Sequence, residues 1–252
     1  MAIDDLLACF NSTIETSTVF RLYTWSKPTL SCGFHQNIDK RVNLENCYHN
    51  NIDIVRRPTG GRELLHDGDL SFSIINYDTH QDIKNNNSKD LFYKACDVII
   101  NGLNKFGINA SVASKSHKTD NYHNQPCLSA PSQHEVIVNG KKIVPMAQRI
   151  YPQSVLVHGS IPLEDSRYST GELLKLGNIH NIQNKIAKSS INLSQILGKS
   201  VNLLALKERL FESFSNVFRG NMIISTISRR ELSKADNLKY NWQVNKNISI
   251  QT

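Results

Sequence analysis

The stretch HEVIVNGKKIV (134–144) constrains the fold more than any other. Its β-branched residues alternate on both sides of Asn139-Gly140, the strongest two-residue signal for a tight β-hairpin. The turn also sets a register, with Val138 opposite Lys141 and Ile137 opposite Lys142. Ile137, Lys142 and Val144 are then expected on one face, and Val136, Val138, Lys141 and Ile143 on the other. Further strands are read at VFRLYTW (19–25), within WSKPTLSCGFHQN (25–37), and at IDIVRR (52–57), LSFSIINY (70–77) and VLVHGSI (155–161). They dominate the first two-thirds of the chain without regular βαβ alternation. The expected fold class is therefore α/β of the α+β type, with a mixed, mainly antiparallel central sheet flanked by helices.

SKDLFYKACDVIINGLNKFG (88–107) carries the clearest helical spacing, through Leu91, Phe92, Ala95, Val98, Ile99 and Phe106. Ser88 is placed to cap this helix and Gly107 to end it. The first ten residues make an amphipathic helix with Leu6, Leu7 and Phe10 on one side. A helical C-terminal part is expected from about 201, as helices over 201–219 and 229–241. No linker divides the chain, so 1–252 is read as one domain.

Hydrophobic content of 39% and charged content of 20% fit a soluble globular protein. No apolar run approaches the ~18 residues of a membrane span, and the acidic start MAIDDLLACF is unlike a secretory signal. The net charge of +7 suits an acidic partner. The basic residues are scattered, however, and no nucleic-acid-binding motif is present. Five cysteines without a CxxC pair argue against a disulfide framework and for a reducing cytoplasm.

Three local features carry candidate chemistry. In RRPTGGRELLHDG (56–68) the paired Gly60 and Gly61 let backbone N–H groups approach a ligand, with Arg56, Arg57 and Arg62 able to face an anion. A tight turn with solvated arginines is the plainer alternative. His66-Asp67 has no HExxH or second spaced ligand beside it, so no metal is expected. Cys9 and Cys96 lie on apolar helix sides and are read as core residues. Cys32 falls in a strand and Cys47 in a connecting segment. Cys127 differs, because PCLSAPS (126–132) is neither a helix nor a strand face; it is either an incidental loop thiol or a nucleophile. Lys142, on the more apolar hairpin face, is either a snorkelling edge-strand lysine or a cation meeting an anion. Beside Cys127 such a cation favours the thiolate and can polarise a carbonyl oxygen.

Taken in order, the segments MAIDDLLA, YTWSKPTLSCGFHQN, RRPTGGRELLHDGDLSFSI, QPCLSAPSQHEVIVNGKKIV, AQR, LVHGSI and KYNW span nearly the whole chain. This series resembles the biotin/lipoate protein ligase superfamily, most closely its cysteine-dependent octanoyltransferase branch. Two details choose the branch: Arg62 stands where ATP-dependent lipoate ligases carry a third glycine, and the loop cysteine is present. The resemblance implies that Cys127 carries the acyl group, that Lys142 is the active-site lysine, and that Arg57, Gly60, Gly61 and His66 belong to the substrate-binding loop. It further implies octanoyl transfer from acyl carrier protein to lysines of lipoyl-domain proteins, such as glycine cleavage H protein or 2-oxoacid dehydrogenase E2. No cofactor, metal, nucleic acid or membrane is implied. The related activities are octanoyl exchange between lipoyl domains, ATP-dependent lipoate ligation, and non-catalytic acyl or carrier binding. One departure stands out: the family usually has Gly-Ser after the lysine, and this chain has Pro145-Met146.

Overall fold

The computed structural model describes residues 1–10, 18–77, 88–113, 126–129, 135–220, 222–242 and 244. The central feature is β5 (Asp69–Tyr77), whose sequence DLSFSIINY alternates at its start. Leu70, Phe72 and Ile74 point into the main core. Ser71 and Ser73 face the other way, where their hydroxyls bond Asp69 and Asp4. Ile75 and Tyr77 then join a second apolar cluster with Ala8, Tyr151 and Leu156. Such a strand is covered on both faces. On its two edges β5 pairs antiparallel with β1 (Thr18–Tyr23) and β10 (Ser154–Pro162). β9 (Met146–Ile150) completes this four-stranded sheet in the order β1-β5-β10-β9.

The remaining described strands form two smaller sheets, so the expected β structure is spread over three sheets. β2 (Thr29–Cys32) lies between β3 (Asp53–Arg56), its parallel neighbour, and β4 (Leu64–His66), its antiparallel one. β6 (Ser111–Val112), β7 (Val136–Val138) and β8 (Lys141–Val144) form the third sheet. Among the described strand pairs within these sheets, β2–β3 is the parallel one. The hairpin forms as expected. Asn139 and Gly140 have φ of 50° and 75°, the left-handed pair a two-residue turn needs. Ile137 faces Lys142 and Val138 faces Lys141, but a register shift beyond Ile137 puts Val136 opposite Val144. The shift mixes the two expected faces: Val136, Val138, Ile143 and Val144 all enter the main core.

α4 (Ser88–Lys105) packs this core against α7 (Leu203–Phe218). Gly102 lets the two helices touch, since a Cβ there would lie 2.7 Å from Leu210 Cδ2. α1 (Ala2–Phe10) departs from its simple amphipathic reading. Leu6 is buried and Leu7 half-buried, yet Asp4 and Asp5 are buried too. They accept hydrogen bonds from Arg21, Tyr23 and Ser73, and from Tyr151, respectively. Cys9, expected in the core, is exposed. α2 (Ile38–Arg41) and α3 (Leu44–His49) follow β2, each capped by an asparagine. α3 carries Cys47, read from sequence as part of a connection, into a second core with Leu30, Cys32 and Ile54. The helical C-terminal part starts at α5 (Ile179–Ser189), continues through α6 (Leu193–Leu197) and α7, and ends with α8 (Arg229–Trp242). No described helix is long and apolar enough to cross a membrane.

Candidate active site

The ends of β2, β4, β8, β9 and β10 surround a cavity with about 590 Å³ of empty space, counting its mouth. Cys127, Lys142, Arg57, Gly61 and His66 all line it, so five of the six residues singled out from sequence meet in one place. Gly60 forms the turn beside them, and its carbonyl accepts from Arg57.

Cys127 begins a single 3-10 turn, Cys127–Ser129, and is half-buried. Its N–H donates to the carbonyl of Glu63 at 3.1 Å, which ties the cysteine turn to the segment after the glycine pair. Lys142 is 0% exposed, a burial that excludes the snorkelling alternative. Its ammonium donates to Glu135 Oε1 at 2.6 Å and to the Cys127 carbonyl at 3.1 Å, and lies 3.8 Å from Cys127 Sγ. The anion that this lysine requires is thus Glu135, on the residue preceding β7. Arg62 Nη2 reaches the same Cys127 carbonyl at 3.5 Å.

Arg57 and Arg56 are arranged differently from the expectation that they face an anion. Arg57 directs all five N–H groups at the protein: to Gly60 O through Nε and Nη2, to Arg62 O through Nη2, and to Ser31 O and Oγ through Nη1. It is a buried clamp that shapes the glycine turn, and burial lowers its pKa. Arg56 likewise donates to the carbonyls of Gly33, Phe34 and Gln36. Gly61 has φ of 97°, a backbone state that favours glycine.

His66 is held from both sides. Its Nδ1 lies 2.9 Å from Asp69 Oδ2 and its Nε2 2.9 Å from Ser31 Oγ, and the ring stacks on Trp25 at 4.4 Å. Burial alone would raise the Asp69 carboxyl, but His66 and the hydroxyls of Ser160 and Ser71 outweigh it and hold the group below the usual range. His158, which sequence reasoning passed over, also lines the cavity. Its Nε2 is 2.6 Å from Thr59 Oγ1, fixing the glycine turn to β10, and burial lowers its pKa. Glu135, Ser31 and Asp69 were missed as well. Glu135 had a usable signal, an acidic residue at the mouth of a strand whose hairpin partner buries a lysine. Pro145 and Met146 stand in the wall where the chain passes from β8 to β9. No group of described His, Cys, Asp and Glu residues could hold a metal ion.

Sequence and fold both have known counterparts. The family model described as lipoyl protein ligase A/B catalytic domain matches residues 1–215. Octanoyltransferase LipM of Carboxydothermus hydrogenoformans is 29% identical over 239 residues, covering 93% of this chain and 88% of the relative. The enzyme of the same name from Bacillus subtilis is 29% identical over 244 residues, covering 92% and 86%. Among solved structures, a bipartite lipoate protein ligase from Thermoplasma acidophilum, described with its E2 lipoyl domain, superposes with a TM-score of 0.75. That match has 21% identity and covers 95% of this chain and 86% of the other, a likeness of fold.

Proposed function

The chain belongs to the lipoyl protein ligase A/B catalytic-domain family, and from that membership we propose that it is an octanoyltransferase of protein lipoylation. In this reading residues 1–252 act as one catalytic unit in the reducing cytoplasm. Octanoyl groups arrive as a thioester of acyl carrier protein and leave as an amide on a lysine of a lipoyl-domain protein, such as glycine cleavage H protein or a 2-oxoacid dehydrogenase E2. The observation that carries the proposal is the pairing of a half-buried cysteine with a fully buried lysine, Nζ to Sγ 3.8 Å. The thiolate of Cys127 attacks the thioester carbonyl and the carrier thiol departs, leaving octanoyl on Sγ. The acceptor amine then attacks that second thioester, the amide forms, and Cys127 is released. In this reading the Lys142 ammonium meets the developing oxyanion. Arg57, Gly60, Gly61 and His66 shape the wall against which the acyl group lies.

A thioester is already activated, so the chemistry needs no nucleotide. Arg62 takes the place of a third glycine in the turn. Intact mass tests the proposal. Incubation with octanoyl carrier protein is expected to add one octanoyl group that hydroxylamine removes, and Cys127→Ala to abolish the adduct. An adduct surviving in Cys127→Ala overturns the nucleophile. Modification of a lipoyl domain by free octanoate only when ATP and magnesium are present would make the protein a ligase instead.

A further inference from the structure

An ammonium has three N–H groups, and the resting site offers Lys142 an acceptor for each. They are Glu135 Oε1 at 2.6 Å, the Cys127 carbonyl at 3.1 Å and Cys127 Sγ at 3.8 Å. While this arrangement lasts, all three N–H groups of the lysine are engaged. The lysine is 0% exposed and the Glu135 side chain only 10%. A cation so completely removed from water stays charged only beside a compensating anion. Glu135 also lines the cavity, on the same wall as the sulfur.

We propose that Glu135 is a positioning residue for the acyl transfer, holding the Lys142 ammonium beside Cys127 and controlling, through it, how readily the thiol gives up its proton. This rests on the roles assigned above to Cys127 and Lys142. The proton balance is simple. Lys142 hands one proton to Glu135 Oε1 and takes the thiol proton in its place. The cluster begins as thiol, ammonium and carboxylate, and ends as thiolate, ammonium and carboxylic acid. Its net charge is zero throughout, so no unbalanced charge forms in a site shielded from water. The thiolate becomes the ammonium's counter-ion, and since the proton that pointed at Glu135 now sits on its carboxyl, the N–H regained from the thiol leaves one of the ammonium's three for the thioester oxygen. When the carrier thiolate is expelled, it recovers the proton from the Glu135 carboxyl by the same route.

The test is the rate at which iodoacetamide alkylates Cys127 as a function of pH, followed by peptide mass. It needs no acyl substrate. Glu135→Gln keeps the size and a hydrogen bond but cannot accept the proton. Its alkylation rate at pH 7 is expected to fall about tenfold, with the rise in rate displaced to higher pH, and Glu135→Asp to recover most of it. In a Lys142→Met background, Glu135→Gln is expected to change nothing further, because its effect passes through the lysine. The double variant removes both members of the buried Lys142–Glu135 pair rather than stranding one of them. A Glu135→Gln protein that alkylates at the native rate or faster overturns the proposal. So does an equal loss in the Lys142→Met background. If Glu135→Gln alone does not fold, the comparison of Lys142→Met with the double variant decides: equal rates support the role and unequal rates overturn it. Octanoyl loading of the native protein is measured in parallel, so its failure would sink the proposed reaction without touching the alkylation result.

Discussion

Gly33→Ala is expected to disable the site while leaving the protein folded. Gly33 follows β2, and a Cβ there would sit 2.0 Å from the carbonyl oxygen of Gly61 and 2.9 Å from its carbonyl carbon. Ordinary contact begins at 3.4 Å, so a further gap of about 1.4 Å has to open between β2 and the glycine turn. Neither side gives way easily. The Gly33 N–H donates to Gln36 Oε1 at 2.8 Å, and the Phe34 N–H donates to Thr59 O at 2.9 Å. The turn itself is gripped by Arg57. Overpacking of this kind costs about 1–3 kcal/mol of stability. A displacement of roughly 1 Å at a reacting centre costs on the order of a hundredfold in rate. Circular dichroism should therefore report a native spectrum with a lowered melting temperature, and acylation by octanoyl carrier protein should slow by about a hundredfold. Gly220→Ala is the control, since its Cβ would meet nothing closer than 3.9 Å. A Gly33→Ala enzyme that acylates at the native rate would refute the claim that this contact sets the position of the turn.

Thiol labelling at neutral pH should separate the cysteines by burial. Cys127 is expected to react first and the exposed Cys9 more slowly, because partial burial and the Asp5 carboxylate raise its pKa. Burial pushes Cys32 and Cys96 up to about 12 and Cys47 to about 11, so these three should appear by peptide mapping only after denaturation. Rapid labelling of Cys32 in the folded protein would contradict the core described here. Acid stability should fall in two windows, read from urea midpoints against pH. Burial holds the folded His158 below its ordinary 6.5, so the unfolded chain binds the extra proton and stability declines as pH falls below about 6.5, by up to about 1.4 kcal/mol per pH unit. His158→Gln should erase this first loss. Asp4 and Asp69 are both held below the ordinary 3.8 despite burial, so their contribution is complete above that pH and is lost as pH falls beneath it.

Features with strong local codes were legible in the sequence. The Asn139-Gly140 turn fixed the pairing of Ile137 with Lys142, and the apolar spacing of 88–107 marked α4 to within two residues of its end. The register shift beyond Ile137 was invisible, because its cause is the packing of Val136 and Val144 into a shared core rather than any turn residue. β4 and β9 were missed for a related reason. LLH is too short to show alternation, and MAQRI follows a proline and stays half-buried or exposed along its length. At the site, residue type pointed to Cys127 and Lys142, but charge pairing is a matter of three dimensions. Arg57 reads as a free cation in one dimension and proves to be a clamp on carbonyls 3–26 residues away. Asp4 and Asp5 look like helix-surface charges until Arg21, Tyr23 and Tyr151 close over them. The segments flanking the cysteine turn, 114–125 and 130–134, lie outside the described residues.

The backbone of Lys142 is stitched to a part of the chain synthesised much later. Its carbonyl accepts from the Ile191 N–H at 3.1 Å, and a parallel bridge joins it to Ser190, at the end of α5. A nascent chain ending anywhere before this point can close the Asn139-Gly140 hairpin but leaves the Lys142 carbonyl without that donor. The hairpin is a local event of microseconds, whereas docking residue 191 onto 142 closes a loop through intervening elements and is slower. The bond that Ile191 donates to this strand therefore forms only once the chain beyond α5 has been synthesised.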